Sequence, residues 1–464
     1  MSSPGPVSSP GPVSRWWAEL AWLGDPAVPP VAGVLIEAEG GRFTSVTPGA
    51  EPDGERLPGL TIPGLANVHS HAFHRALRGR THAARGSFWT WREHMYEFAA
   101  GLDPDSYHAL ARAVYGEMAL AGITAVGEFH YLHHGPDGRP YGDANVMSAA
   151  LVAAAAEAGI RITLLDTCYL AGGVGEPVAG VQLRFSDGDA AGWAARAGAF
   201  RPDGSHARVG AAIHSVRAVP AGQLRDVVGW AADRDAPLHV HLSEQRAENE
   251  ASLAAYGHTP TGVLAAAGAL GPRAVAVHAT HLTSADVGLL GSSGTGVCLC
   301  PTTERDLADG IGPARELASS GSPLSLGSDG HAVIDLFEEA RAVELGERVR
   351  TEQRGHFWAG ELLGAATAHG AIGWPDAGRI VPGAIADLVT VGLDSVRLAG
   401  TRPGDAAGAV VFAATAADVR TVVASGRTIV RDGHHTTVDV PAELAAALTP
   451  TPTEVGETRP GGTG

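Results

Sequence analysis

Eight short apolar runs of β character, alternating with Ala-rich helical stretches, recur between residues 60 and 328 and leave few folds open to this chain. They are Leu60–Val68, Ile123–Tyr131, Ile160–Cys168, Arg208–His214, Pro237–Ser243, Ala274–Thr280, Gly296–Cys300 and Pro323–Ser328. Strands that alternate with helices build βα units around a parallel sheet, and eight of them predict an α/β fold closed into a (β/α)8 TIM-type barrel. Helix starts follow several of the runs, at Asp143, at Pro220, over Thr283 to Asp286 and at Asp335. The rival parallel sheet, a dinucleotide-binding one, is disfavoured because no Gly-x-Gly-x-x-Gly follows the first run.

With 464 residues the chain exceeds the roughly 250 of such a barrel. The barrel is assigned to 59–382. Residues 16–58 and 383–445 hold further β-like pieces, Gly33–Ile36, Ala386–Val391, Val419–Ala424 and Arg427–Val430, and read as one small β-sandwich built from both chain ends. The hexapeptide SSPGPV is repeated at 2–7 and 8–13, and TPTPTEVGETRPGGTG closes the chain, so 1–15 and 446–464 read as disordered tails.

A formal net charge of -17 provides no basic footprint for nucleic acid or an anionic membrane, and neither is expected as a partner. No run of about 18 uncharged apolar residues and no basic-then-apolar N-terminus is present, which predicts a cytoplasmic protein. Cys168, Cys298 and Cys300 each sit within an apolar run, as buried thiols of a reducing compartment would. The chain contains no lysine, which removes Schiff-base chemistry and any carboxylated-lysine bridge between two metals.

Polar residues collect where the apolar runs end. The ends read Asn67-Val68-His69-Ser70-His71, Glu128-Phe129-His130-Tyr131, His214-Ser215-Val216-Arg217, His239-Val240-His241-Leu242-Ser243-Glu244, His278-Ala279-Thr280-His281 and Gly327-Ser328-Asp329-Gly330-His331. In a (β/α)8 barrel all such ends converge on one face, where the active site is kept. The period-two geometry of a strand puts His69 and His71 on one side, able to reach a common ion. Asp329 and one histidine of the fifth run complete a site of three nitrogens and one carboxylate with room for water, a set that favours zinc, with iron, manganese and nickel as alternatives. Four identifiable ligands and no bridging lysine predict one ion per chain.

These motifs, together with Pro63-Gly64 before the first His pair, Glu244 three residues after His241, and Pro382-Gly383 through Ala386-Asp387-Leu388-Val389, resemble the deaminase branch of the amidohydrolase superfamily across nearly the whole chain. The resemblance implies His69, His71, His241 and Asp329 as metal ligands and Glu244, His278 and Asp329 as catalytic. In longer stretches, His71-Ala72-Phe73, Ser87-Phe88-Trp89-Thr90-Trp91-Arg92-Glu93, His214-Ser215-Val216-Arg217-Ala218-Val219 and Thr303-Glu304 before Asp309-Gly310-Ile311, the chain is similar to the formimidoylglutamate deiminases of histidine degradation. One departure is His74, where that group usually has Gln.

The implied reaction hydrolyses the carbon-nitrogen bond of an amidine. A hydroxide made available by the ion attacks the formimidoyl carbon, Glu244 shuttles the proton to the departing nitrogen, and His278 hydrogen-bonds the attacking water or the tetrahedral centre. A substrate with two carboxylates needs cationic donors in this acidic protein, and Arg92 and Arg217 fit because guanidinium meets carboxylate in a bidentate fork. Tyr131, His214 and His74 complete the expected substrate contacts. His239 and His281 are read as packing or supporting groups, and Trp89 and Trp91 as packing. The superfamily resemblance makes a homodimer the expected assembly. A deaminase of a purine, pyrimidine or adenosine derivative is the alternative, and a metal-binding module without catalysis is disfavoured by Glu244 and His278 beside the ligands.

Overall fold

A computed structural model of the chain describes residues 13–82, 86 and 88–449. Sixteen strands in it form two sheets of eight. Strands β1 (Ser14–Ala21), β2 (Val31–Glu39), β3 (Arg42–Pro48) and β4 (Glu55–Pro63) precede the barrel. The barrel strands are β5 (Leu65–Ser70), β6 (Ile123–His130), β7 (Arg161–Cys168), β8 (Ala207–Ile213), β9 (Leu238–Leu242), β10 (Ala274–His278), β11 (Gly296–Leu299) and β12 (Leu324–Leu326). Strands β13 (Leu388–Val391), β14 (Val419–Ala424), β15 (Arg427–Arg431) and β16 (His434–His435) follow.

The barrel strands run parallel and in sequence order from β5 to β12. Their residues are buried almost throughout, as expected of strands covered by helices outside and by each other's side chains inside. Last and first strand meet at the site end: Ser70 bridges Asp329, the Asp329 N–H donates to the His69 carbonyl (3.0 Å), and the His71 N–H donates to the Asp329 carbonyl (3.3 Å). Asn67 ties the same seam with its side chain, donating to Ser328 Oγ (2.7 Å) and accepting from the Ser328 N–H (2.9 Å).

The second sheet has the order β16-β15-β14-β13-β4-β1-β2-β3, so both chain ends contribute to it. It curls until the β2–β3 turn meets the segment before β13, where the Phe43 N–H donates to the Ala384 carbonyl and the Ala386 N–H to the Gly41 carbonyl, both at 2.9 Å. Trp16, Val34, Ile36, Phe43, Leu57, Leu388 and Val423 fill the interior of that curl.

Two expectations shift. The run from Leu60 to Val68 is two strands: Leu60–Pro63 pair with β13 and belong to the second sheet, and the barrel begins at Leu65. Gly64 makes the crossing, since a Cβ there would lie 2.3 Å from Thr124 Oγ1 and 2.8 Å from Asp387 Cβ. Apolar residues on both sides hide that break from composition. Regular structure also reaches into both assigned tails. Ser14 and Arg15 start β1, with Arg15 Nε bonded to Glu37 (2.7 Å), and a helix over Val440–Leu448 lies against the helix Pro104–Leu120, where Glu443 pairs with Arg112 (2.7 Å). Residues 1–12 and 450–464 of the assigned tails lie outside the described residues.

Among the described residues no helix is long and apolar enough to cross a membrane. All three cysteines are free and buried. The two sheets are pinned together by a buried ion pair: Asp387, just before β13, accepts from Arg161 of β7 (2.9 Å), from Thr124 Oγ1 (2.9 Å) and from the Ser425 N–H (2.8 Å).

Candidate active site

The strand ends bring three imidazoles to one carboxylate. His69 Nε2 and His71 Nε2 lie 3.3 and 3.4 Å from Asp329 Oδ1, and His69 Nε2 lies 3.1 Å from His241 Nε2. His71 and His241 donate their other ring nitrogen to backbone carbonyls, those of Phe129 (2.9 Å) and His214 (2.8 Å), which turns both Nε2 lone pairs inward. Burial pushes the pKa of His69, His71 and His241 down, so each stays in the neutral form that ligates a metal.

A tetrahedral ion with bonds of about 2.0–2.1 Å has ligand–ligand edges of about 3.4 Å, close to the three separations above; the donor atoms of His69, His241, His278 and Asp329 all lie within 4.8 Å of one another, and so do those of His71, His74 and Asp329. Two inward-facing Nε2 atoms at 3.1 Å repel each other unless a cation or a proton lies between them. The donor set therefore fits a divalent ion, and three nitrogens with one carboxylate suit zinc chemistry. His278 joins the same cluster from the far side, its Nε2 3.8 Å from Asp329 Oδ2 and 3.8 Å from Glu244 Oε1.

Local backbone geometry serves this convergence. Asp329 (φ +41°) and His278 (φ +68°) both occupy the left-handed region, which costs of order 1–3 kcal/mol for non-glycine residues and persists where surrounding structure enforces it. Gly327, two residues before Asp329, lets the last strand approach the first: a Cβ there would lie 2.8 Å from His69 Cβ. Burial opposes charging of His278, but the carboxylates of Glu244, Glu304 and Asp329 outweigh it and hold its pKa well above the usual value. Glu244 is buried, and its pKa is raised by that burial with the Asp329 charge adding to it.

From this cluster opens a pocket. Its lining includes every expected substrate residue: His74, Arg92, Tyr131, His214 and Arg217. Arg92 lies on helix α1 (Phe88–Ala100), its guanidinium 4.5 Å from the Trp89 ring and 5.5 Å from the Tyr96 ring. Arg217 follows β8, 5.8 Å from the Phe88 ring. Both are half-buried, and neither forms a salt bridge among the described residues, although the burial that raises the pKa values of Glu244 and Glu248 is opposed by the nearby Arg217 charge. His74 lies edgewise to Trp91 and its Nε2 is 2.9 Å from the Tyr131 hydroxyl, so these two residues contact each other as well as the pocket. Burial lowers the His74 pKa to about 3, which keeps it uncharged.

A model of the amidohydrolase family matches residues 60–429. The chain belongs to the amidohydrolase family. It is a hydrolase acting on C–N bonds, of the deaminase type. Formimidoylglutamate deiminase from Pseudomonas aeruginosa is 38% identical over 410 residues, covering 85% of this chain and 90% of its own. The 5-methylthioadenosine/S-adenosylhomocysteine deaminase of Natronomonas pharaonis is 30% identical over 423 residues, covering 89% and 91%. In three dimensions, the crystal structure of an amidohydrolase from Brucella melitensis matches with a TM-score of 0.85 at 32% identity, covering 94% of this chain and 99% of its own.

Several residues of this amidohydrolase site carry no role in the sequence reading. Glu128 accepts from Ser70 Oγ (2.7 Å) and from the Ala72 N–H (2.6 Å), gripping the chain on both sides of His71, and burial pushes its pKa up to about 7. Glu304 stands 3.4 Å from His278 Nδ1 and accepts from the Cys300 N–H (2.9 Å). Both stand in motifs quoted above, but pattern alone does not separate a supporting carboxylate from a ligand. Tyr169, Phe185, Met95 and Tyr96 line the pocket, and Trp91, assigned to packing, lines it too. Trp89 is 40% exposed and serves as a face for Arg92. His239 turns away, its Nε2 2.9 Å from the Ala371 carbonyl, and His281 lines a separate surface hollow.

Proposed function

We propose that the protein deiminates N-formimidoyl-L-glutamate to N-formyl-L-glutamate and ammonia, a step of histidine degradation, with one zinc ion per chain held by His69, His71, His241 and Asp329. The observation that carries this reading is the pairing, in one pocket, of the His/Asp cluster with two guanidinium groups, Arg92 and Arg217, that form no salt bridge among the described residues. A substrate with an amidine at one end and two carboxylates at the other complements both. The 38% identity to formimidoylglutamate deiminase from Pseudomonas aeruginosa supports the same assignment.

When bound, the ion supplies the Lewis acidity that brings the pKa of a water to about 7. Glu244 takes a proton from the attacking water and returns it to the departing nitrogen. Burial raises its pKa, which suits a group that must accept a proton and then release it. His278 faces Glu244 and Asp329 and hydrogen-bonds the oxygen as it adds to the formimidoyl carbon. The new bond joins carbon to oxygen, the broken bond joins carbon to the terminal nitrogen, and that nitrogen leaves as ammonia. Arg92 and Arg217 hold the carboxylates, Tyr131 and His214 add single hydrogen bonds, and His74 shapes the pocket beside His71.

The second reading is deamination of a purine, pyrimidine or adenosine derivative. It draws on the aromatic lining from Phe88, Trp91, Tyr96, Tyr131 and Tyr169 and on the 30% identity to the Natronomonas pharaonis deaminase. Ammonia release from a panel of N-formimidoyl-L-glutamate, N-formimidoyl-L-aspartate, guanine, cytosine and adenosine decides between them. Preference for a nucleobase or nucleoside would displace the formimidoylglutamate assignment.

A further inference from the structure

Helix α1 places Trp91, Arg92, Met95 and Tyr96 in the pocket, yet it is no part of the barrel sheet, so its position must be set by something else. The short 3₁₀ turn Gly180–Phe185, which follows β7, meets it at two points. Arg184 of that turn is completely buried and directs its guanidinium at the C-terminal end of α1. Nη1 donates to the carbonyls of Ala99 and Ala100 (3.1 Å to the latter), and Nη2 to that of Leu102 (2.6 Å). Carbonyls of a helix's last turn have no intrahelical partner, and a cation there also meets the negative end of the helix dipole. Arg184 thus holds α1 along its axis.

Gln182 of the same turn sets rotation. Its Nε2 lies 3.0 Å from the Tyr96 hydroxyl and 3.3 Å from that of Tyr169. Tyr96 stands one helical turn after Arg92, and the Arg92 guanidinium rests 5.5 Å from the Tyr96 ring. The turn itself is rigidly founded. Asp187, just beyond it, accepts from Arg196 Nε (2.9 Å) and lies 3.0 Å from His134 Nε2, while Arg196 also binds Asp166 of β7 (2.8 Å). A continuous line of buried and half-buried contacts therefore runs from the barrel wall to the residue proposed to bind a substrate carboxylate.

We infer that Gln182 and Arg184 are positioning residues that set substrate affinity by fixing where Arg92 sits, without touching substrate themselves. This rests on the reading of Arg92 given under Proposed function.

Gln182→Leu keeps a similar volume while removing both hydroxyl contacts, together with the bond its Oε1 accepts from the Ala179 N–H (3.1 Å) at the start of the same turn. It is expected to raise KM for N-formimidoyl-L-glutamate about 10-fold, the range for two neutral hydrogen bonds, with kcat within about twofold and metal content unchanged. The deciding readout is a double-mutant cycle. Combined with Arg92→Ala the effect should vanish, because the group being positioned is gone; combined with Arg217→Ala it should multiply. Equal additivity with both arginines, or an unchanged KM, overturns the inference. Arg184→Gln should speed amide hydrogen exchange in residues 95–100 above the rest of the barrel, with Arg184→Lys recovering part of the protection. Should Arg184→Gln fail to fold, the Gln182 cycle decides alone. If the parent releases no ammonia from formimidoylglutamate, the functional reading fails on its own; the cycle is then run on whichever panel substrate it does turn over, and unchanged exchange in α1 overturns the anchor.

Discussion

Replacing Arg217 by Ala tests most directly how the pocket selects its substrate. The guanidinium is half-buried beside β8, faces the Phe88 ring at 5.8 Å, and forms no salt bridge among the described residues. A substrate carboxylate would therefore form a new charge-assisted hydrogen bond in a partly dry pocket, without displacing an existing ion pair. Such a bond contributes about 1.5 to 3 kcal/mol, which corresponds to a loss of roughly 10- to 150-fold in kcat/KM. Coupled ammonia detection with N-formimidoyl-L-glutamate measures the loss, and metal analysis should show the ion retained. The effect should also be selective. An analogue lacking one carboxylate should be poor with the parent and suffer little further loss in the variant missing the matching arginine, because no pair is left to break. Turnover of formimidoylglutamate by Arg217→Ala at the parent rate would refute the reasoning and leave only a metal-dependent deaminase.

Stripping the metal with a chelator should abolish ammonia release, and titrating zinc back should restore it at one equivalent per chain; a requirement for two would overturn the single-ion site. Glu244→Gln should keep the ion but lower kcat by about 10²- to 10⁴-fold, the usual weight of a general acid-base group, and parent-like turnover would assign the proton to another residue. Asp387→Asn should destabilise the fold by about 3–5 kcal/mol near neutral pH, because it leaves the Arg161 charge buried without its partner. Burial by itself would raise the Asp387 pKa, but Arg161 outweighs it and the folded value lies below the ordinary one. The parent's carboxylate stabilisation is therefore present above the unfolded pKa, about 3.9, and lost as pH falls through the folded value. Denaturant unfolding across that range should show the gap between parent and variant narrowing on acidification; a constant gap would rule out the ion pair as its source.

Much of the fold was readable from residue order. Apolar runs of strand length separated by helical stretches dictate a parallel barrel, and a barrel sends all its strand ends to one face, so strand order alone brings His69, His71, His241, His278 and Asp329 to the same end of the fold. Such convergence is a property of topology and needs no knowledge of side-chain packing. Where apolar sequence runs unbroken, order alone fails. The passage from β4 to β5 at Gly64 crosses between two sheets inside one apolar run, and only the crowding by Thr124 and Asp387 shows why the break falls there.

The walls of the pocket were equally out of reach of the sequence. Phe185, which lines the pocket, and Gln182, which stands behind it against Tyr96 and Tyr169, come from the segment after β7, whose composition has neither period nor motif, and buried ion pairs among Asp166, Arg196 and Asp187 hold that segment in place. Glu128 could be seen at a strand end but not understood, since its partners, Ser70 Oγ and the Ala72 N–H, are set by which strands lie side by side. Periodicity and strand order are local and topological, so the sequence by itself determined the barrel and the gathering of polar strand ends on one face, while the choice between His239 and His241 was left open by the pattern. Contacts between residues distant along the chain depend on how the helices and loops pack, and tertiary structure alone decided which neutral imidazole nitrogens face one another, which carboxylates brace them, and what holds Arg92 in the pocket.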